Sequence, residues 1–208
     1  EANPHLRGEY WLFPVHDGVD NSWYKNVRQP TSLFGHHVHR DFFGAYYHKS
    51  DYGVVHVADF REVVGKKTWT WGVADDGLIW TDLLTDHDGP YNEIPAGRYE
   101  TQMNYEFIAP RRVESFTEFW YPVQGLDGGF VEANARLALN VHFRKAEPGI
   151  PQHVEFSLFP TVPLQDAKVH VRLGAQVLKD LGPVSLAPMT PVKVGVPVWA
   201  CGVPVQVC

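Results

Sequence analysis

The stretch GKKTWTWG (65–72) decides how the rest of the chain is read. Its two tryptophans stand two positions apart, the period-2 spacing that puts Trp69 and Trp71 on one face of a β-strand. That face admits two readings. It can be the keystone of a β-core, or a flat platform for a sugar, whose C–H face is apolar while its hydroxyls need fixed hydrogen-bond partners. The alternation suits both equally.

Around this strand the chain reads as all-β. YGVVHVADF (52–60), LIWTDLL (78–84), GRYETQMNYEF (97–107) and ESFTEFWYPV (114–123) are runs rich in β-branched and aromatic residues, separated by turn formers such as DDG and HDGP. No window of twelve residues places apolar residues at i, i+3, i+4 and i+7 without a Gly or Pro interruption, so helix is not expected. From about residue 134 the alternation becomes cleaner. Leu137, Leu139, Val141 and Phe143 fall on one face, as do Val154, Phe156 and Leu158, and then Val169, Val171 and Leu173. Such patterning predicts antiparallel strands with one face on a core and one in water. The expected organisation is therefore a first domain over 1–133, then a smaller immunoglobulin-like β-sandwich over 134–208, divided after the Gly-rich VQGLDGGF.

Composition narrows the function classes. At 208 residues and 44% hydrophobic the chain can bury a substantial core. A net charge of −6 with 18 Lys+Arg, and no basic run longer than two, argues against nucleic acid or an anionic membrane surface as partner. No segment approaches the length of an apolar membrane span, so membrane insertion is not expected. Cys201 and Cys208 are the two cysteines, both near the C-terminus, so no disulfide framework organises the fold, and any bridge between them would be peripheral. The chain opens without Met and in mid-phrase, which reads as part of a longer protein. Serine-hydrolase, P-loop and dinucleotide motifs are missing, and no cofactor is called for.

The chemistry-bearing residues gather before residue 130. Aromatics are dense there, with Trp69, Trp71, Trp80 and Tyr91 prominent. Carboxylates concentrate in LLTDHDGPYNEIPAGRYETQ, where Asp86 and Asp88 precede a Gly-Pro turn and Glu93 and Glu100 bracket IPAG. Reaction at an anomeric carbon needs proton-handling groups, at least one of them a carboxylate, which makes Glu93 a candidate general acid or base. Asp86 and Asp88 also suit simple turn capping. Of the 11 histidines, His48 and His56 are candidates for shuttling a proton, with a core histidine as the competing reading. His37 and His39, two apart, would face one way on a strand as metal ligands do, yet no Cys or familiar His-Glu spacing accompanies them, and no metal site is expected.

The ordered phrases SWYKN (22–26), QPTS (29–32), DFFGAYYH (41–48), GVVHVAD (53–59), GKKTWTWG (65–72), LTDHDGPYNE (84–93), AGRYETQ (96–102) and FWYPVQG (119–125) resemble one bacterial family, domain of unknown function 5107, often found in large proteins with tetratricopeptide repeats. The resemblance covers about residues 8–130 and implies the later part of a galactose-mutarotase-like β-supersandwich, a fold shared by aldose epimerases, polysaccharide lyases and glycoside hydrolases. It implies that the acidic residue of GPYNE, Glu93, stands where mutarotase-like enzymes carry a catalytic carboxylate. GHHVHR (35–40) departs from the family pattern, as do His87 and Glu118.

The resulting expectation is a carbohydrate-active domain of hydrolase or epimerase type, or part of one, taking a saccharide or glycan. Glu93 would be catalytic, assisted by His48 or His56. Trp69, Trp71 and Trp80 would stack on the sugar, and Lys67, Asp88 and Tyr91 would bind its hydroxyls. A non-catalytic carbohydrate-binding module and a purely structural β-domain are the alternatives.

Overall fold

A computed structural model describes residues 2–3, 9–86, 88–148, 152–173 and 175–197. Cys201, Cys208 and His87 lie outside the described residues. The fold is all-β and of sandwich type, with 47% strand and 7% helix. In chain order the strands are β1 (Ala2–Asn3), β2 (Glu9–Tyr10), β3 (Val15–His16), β4 (Val19–Asp20), β5 (Thr31–Phe34), β6 (Phe42–Tyr47), β7 (Tyr52–Ala58), β8 (Gly65–Thr70), β9 (Asn92–Glu93), β10 (Ala96–Gly97), β11 (Glu118–Gln124), β12 (Glu132–Asn134), β13 (Leu137–Arg144), β14 (His153–Pro160), β15 (Leu164–Leu173), β16 (Gln176–Leu186) and β17 (Val192–Pro197). Helix α1 (Asp75–Leu84) lies between β8 and β9.

Two compact units form, one from Glu1–Asp41 with Ala58–Glu118, the other from Phe42–Val57 with Phe119–Cys208. They cut the chain differently from the change of texture at 133/134, because the β6–β7 hairpin groups with the later strands.

The first unit is organised on β8. Strand β5 pairs along one edge, with Thr31 opposite Thr70 and Phe34 opposite Lys67. The other edge is shared, Glu93 of β9 lying opposite Trp69 and Gly97 of β10 opposite Gly65. Pro95 separates β9 from β10, since it has no N–H for a ladder, while its carbonyl still accepts from the Lys67 amide at 3.0 Å. Paired residues of antiparallel strands point to the same side. Ser32, Phe34, Lys67, Trp69 and Glu93 therefore share one face, and Thr31, Leu33, Lys66 and Thr70 the other.

Two expected strands do not form as such. LIWTDLL (78–84) forms the greater part of α1. Asp75 and Asp76 in the first turn complement the positive end of the helix dipole. Gly77 packs against the Trp71 and Gly72 carbonyls, where a Cβ would collide, so the chain turns directly out of β8 into the helix. Leu78, Ile79, Leu83 and Leu84 are all exposed, so α1 lacks the apolar stripe that betrays a helix in sequence. GRYETQMNYEF contributes only Gly97 to a strand, and Met103, Tyr105 and Phe107 are exposed. Strand β10 lies at the sheet's edge, and among the described residues no strand pairs with its outer side.

In the second unit β12, β13, β14 and β17 make a four-stranded sheet, β11, β7 and β6 a three-stranded one, and β15 and β16 a long hairpin. Leu139, Val154, Phe156, Leu158, Val194 and Val196 pack with Val171 of the hairpin. The opposite face of β13 and β14 carries Ala138 and Phe159, which pack with Val55, Val57, Val123 and Leu126. The four-stranded sheet is thus covered on both faces, whereas its alternation predicts one face in water. Small or hydrogen-bonded residues make this cover acceptable. Buried Asn140 donates its Nδ2 to the Leu126 carbonyl at 2.6 Å, and the Tyr46 hydroxyl joins Asp51 at 2.7 Å and the Leu126 amide at 3.1 Å. Burial, reinforced by the bond to Asp51, pushes the Tyr46 hydroxyl up to about 12.

Candidate functional site

The β8 end nearest α1 carries an aromatic group. Trp71 emerges just past the strand, its ring 5.1 Å from Tyr91 and 6.3 Å from Trp80 between centroids. Trp69, one step back on the strand, meets buried Phe34 edge-on at 6.4 Å. Both tryptophans are partly exposed and line a cavity of about 270 Å³ with Pro30, Ser32 and Gln102. Drug-sized pockets run from about 300 to 1,000 Å³, so this one suits a single small ring. Trp69 thereby joins the two readings of the period-2 pair: one edge of its indole is core and the rest is wall. Its Nε1–H is buried without an acceptor among the described residues.

Glu93 sits across the ladder from Trp69, half-buried, and its Oε1 accepts the Tyr91 hydroxyl at 2.8 Å. That bond to the carboxylate is the main reason the Tyr91 hydroxyl holds its proton above the ordinary range. Glu93 borders the aromatic group and does not line the cavity. Trp80 arrives from the helix rather than from a strand, at a distance that still faces Trp71.

Lys67 shares the face of Trp69 but is buried, and its ammonium donates to the Tyr99 carbonyl at 3.0 Å. Burial lowers its pKa. Asp88 is exposed in the turn after α1, its amide on the Thr85 carbonyl at 2.8 Å. His48 and His56 belong to the second unit, and Glu93 to the first. His56 is fully buried on β7, its ring 4.6 Å from Trp120 and 5.1 Å from Phe43. His48 is exposed in the turn after β6, its ring 6.0 Å from Tyr46.

Two groupings escape a linear reading of the chain. Arg98 binds Glu106 at 2.8 Å and Glu114 at 2.7 Å, in a second cavity of about 540 Å³ that also involves Arg61, Tyr99 and Phe116. Around the other end of β8, His36 Nδ1 lies 3.0 Å from Glu100 Oε2, and the His37 amide donates to Glu100 Oε1 at 3.3 Å. Burial works against the Glu100 carboxylate, but the His36 bond, the His37 amide and the nearby imidazoles prevail and hold it below its ordinary range. His39, the other half of the two-apart pair, packs instead on Phe60 at 5.2 Å. Sequence separations of 63 and 64 residues left no local signal for Glu100 as a partner of His36 and His37.

Residues 4–123 match the family described as Domain of unknown function (DUF5107). The chain belongs to that family. The DUF5107 match takes in the whole aromatic group, Glu93 and the His36–Glu100 contact, and stops before β12 to β17. The crystal structure of a TPR-domain containing protein from Parabacteroides distasonis ATCC 8503 is similar at 26% identity and a TM-score of 0.44, over 65% of this chain. The chain spans 22% of that protein's length.

Proposed function

We propose that this chain contributes a carbohydrate-binding surface, with Trp69 and Trp71 as the platform and the Tyr91–Glu93 pair beside it as a hydroxyl-binding group. The observation that carries this reading is the cavity lined by two partly exposed indoles, Trp69 on β8 and Trp71 just past its end. A sugar's apolar face suits such a wall. Among the described residues the buried Trp69 N–H has no acceptor, a role that a hydroxyl or ring oxygen could fill. Glu93 offers a carboxylate oxygen already oriented by Tyr91.

Binding is favoured over turnover because Glu93 pairs with Trp69 across the ladder but does not line the cavity. Glycoside processing with Glu93 as acid or base is the second reading, supported by the Tyr91–Glu93 bond at 2.8 Å.

Titrating the chain with a panel of neutral mono- and disaccharides, followed by tryptophan fluorescence and calorimetry, tests the proposal. Trp71→Ala is expected to weaken binding by about tenfold or more, in line with the loss of one aromatic contact. Glu93→Gln keeps a carbonyl acceptor for the Tyr91 hydroxyl and is expected to weaken binding less than Trp71→Ala does. Turnover of any panel member that vanishes in Glu93→Gln would replace the binding reading with the processing one. No affinity for the panel in the unaltered chain would remove both.

A further inference from the structure

We propose that His36, His37 and Glu100 form a binding site for a borderline divalent transition ion such as Zn²⁺. Among the described residues this is the group of His, Cys, Asp and Glu side chains whose ligand atoms come together, all within 4.8 Å of one another. The donor set is two imidazole nitrogens and one carboxylate oxygen, which matches Zn²⁺ and its neighbours in the transition series better than the all-oxygen shells of Ca²⁺ or Mg²⁺.

The fold assembles the set from the two strands that flank β8. Gly35 prolongs the β5–β8 ladder by donating its amide to the Lys66 carbonyl at 2.7 Å, which fixes where His36 begins. On the other flank the chain leaves β10 and passes over Gly65, where any Cβ would collide with the Tyr99 carbonyl, while Lys67 holds that same carbonyl at 3.0 Å. Glu100 follows directly. The first residue of GKKTWTWG thus lets one flanking segment cross to the other.

Adjacent residues in extended backbone point to opposite sides. His37 escapes that rule because its φ is +51°, in the left-handed region. Its ring consequently stacks on His36, with centroids 3.9 Å apart and planes 23° from parallel. Two stacked imidazoles beside one carboxylate make an arrangement that a shared cation would stabilise. Ligand bonds of about 2.0–2.2 Å in a tetrahedral shell put donor atoms ~3.3 Å apart. His36 Nδ1 and Glu100 Oε2, at 3.0 Å, already meet that spacing, so an ion would take the place of the proton now between them. His37 is exposed, and its ligand nitrogen lies within 4.8 Å of the other two ligand atoms. Three protein ligands leave a fourth position for water.

The test is calorimetric titration of the chelator-treated full chain with ZnCl₂, with visible absorption of the Co²⁺ form as a report on coordination. One ion per chain is expected, with a tetrahedral Co²⁺ spectrum. Glu100→Gln and His37→Ala are each expected to weaken binding at least about tenfold, the effect that partners outside the ligand shell alone exert. His37→Ala removes an exposed side chain and so separates ligand loss from misfolding, and His39→Ala is expected to leave affinity unchanged. Zinc affinity equal to the unaltered chain's in Glu100→Gln would overturn the proposal by showing an exposed histidine pair without the carboxylate. So would a loss of the same size in His39→Ala, or no stoichiometric binding at all.

Discussion

Strands β8 and β14 hold equivalent positions in their units, each flanked by partners on both edges, yet they bury opposite kinds of side chain. Strand β14 buries Val154, Phe156, Leu158 and Phe159, and β8 buries Lys66, Lys67 and Thr70. Apolar burial contributes roughly 25 cal/mol per Å², whereas a buried ammonium is destabilising unless something compensates it. The second unit is therefore built for stability, while the first carries polar groups at its centre and the aromatic and histidine groupings at the two ends of one strand. A strand that packs poorly as hydrocarbon but gathers chemistry at both ends is where a function is to be sought.

The largest break in the comparison is expected from Phe159→Ala. Phe159 is fully buried between the two sheets of the second unit, among Val55, Val123 and Leu126. Deleting its ring leaves a cavity and should destabilise that unit by about 3–5 kcal/mol. Chemical denaturation followed separately by far-UV circular dichroism and by tryptophan emission would show it. A loss under about 1 kcal/mol would mean that β14 is not the stability core of its unit.

A smaller effect of opposite sign is expected in β8. Lys66 is 4% exposed, and its ammonium has no hydrogen-bond partner among the described residues. Burial lowers its pKa, and the Asp41 charge opposes this only in part. Lys66→Met keeps the length and removes the charge, and should stabilise the chain by about 1–3 kcal/mol at pH 7. The sign with pH follows from the depressed value. Between the folded pKa and the ordinary 10.5 the unfolded chain binds more protons, so the stability of the unaltered protein rises with pH across that window. The gain from Lys66→Met should shrink over the same interval, and a gain independent of pH would show that the ammonium is not the cause.

The same contrast explains what was legible in sequence. Alternation in 137–173 leads directly to β13, β14 and β15, because a strand with one large-residue face advertises itself. It conceals that Ala138, Asn140 and Ser157, on the other face, are buried as well, since small and polar residues read as solvent-facing. Strands β7 and β8 were legible from β-branched and aromatic runs to within two residues. Helix α1 was not, because its leucines and isoleucine face water and its stability comes from the acidic first turn and the close seat of Gly77. Of the candidate residues, Trp69, Trp71, Trp80, Tyr91 and Glu93 do gather at one end of β8, since four of them lie on or beside paired strands. Glu100 with His36 could not be read from spacing, because their meeting depends on where two flanking segments cross over Gly65.

The finest contrast lies at His37, where a non-glycine residue holds a positive φ at the metal-ligating candidate. The left-handed region costs an L-residue roughly 1–2 kcal/mol that glycine does not incur, while glycine's freer unfolded chain returns about 0.5–1 kcal/mol of that difference. With metal removed by chelator, His37→Gly should therefore be about 0.5 kcal/mol more stable than His37→Ala, since both lose the ring and only glycine escapes the backbone strain. His37→Ala keeps the strained backbone but loses the stack on His36, so it should fall below the unaltered chain. Urea denaturation of the three proteins in chelator separates the contributions, because Gly and Ala differ in backbone strain while both lack the ring. Equal stability of the Gly and Ala variants would mean that the backbone at 37 relaxes once the imidazole is gone, and that the ring's contact with His36 and Glu100, rather than the surrounding chain, holds the positive φ.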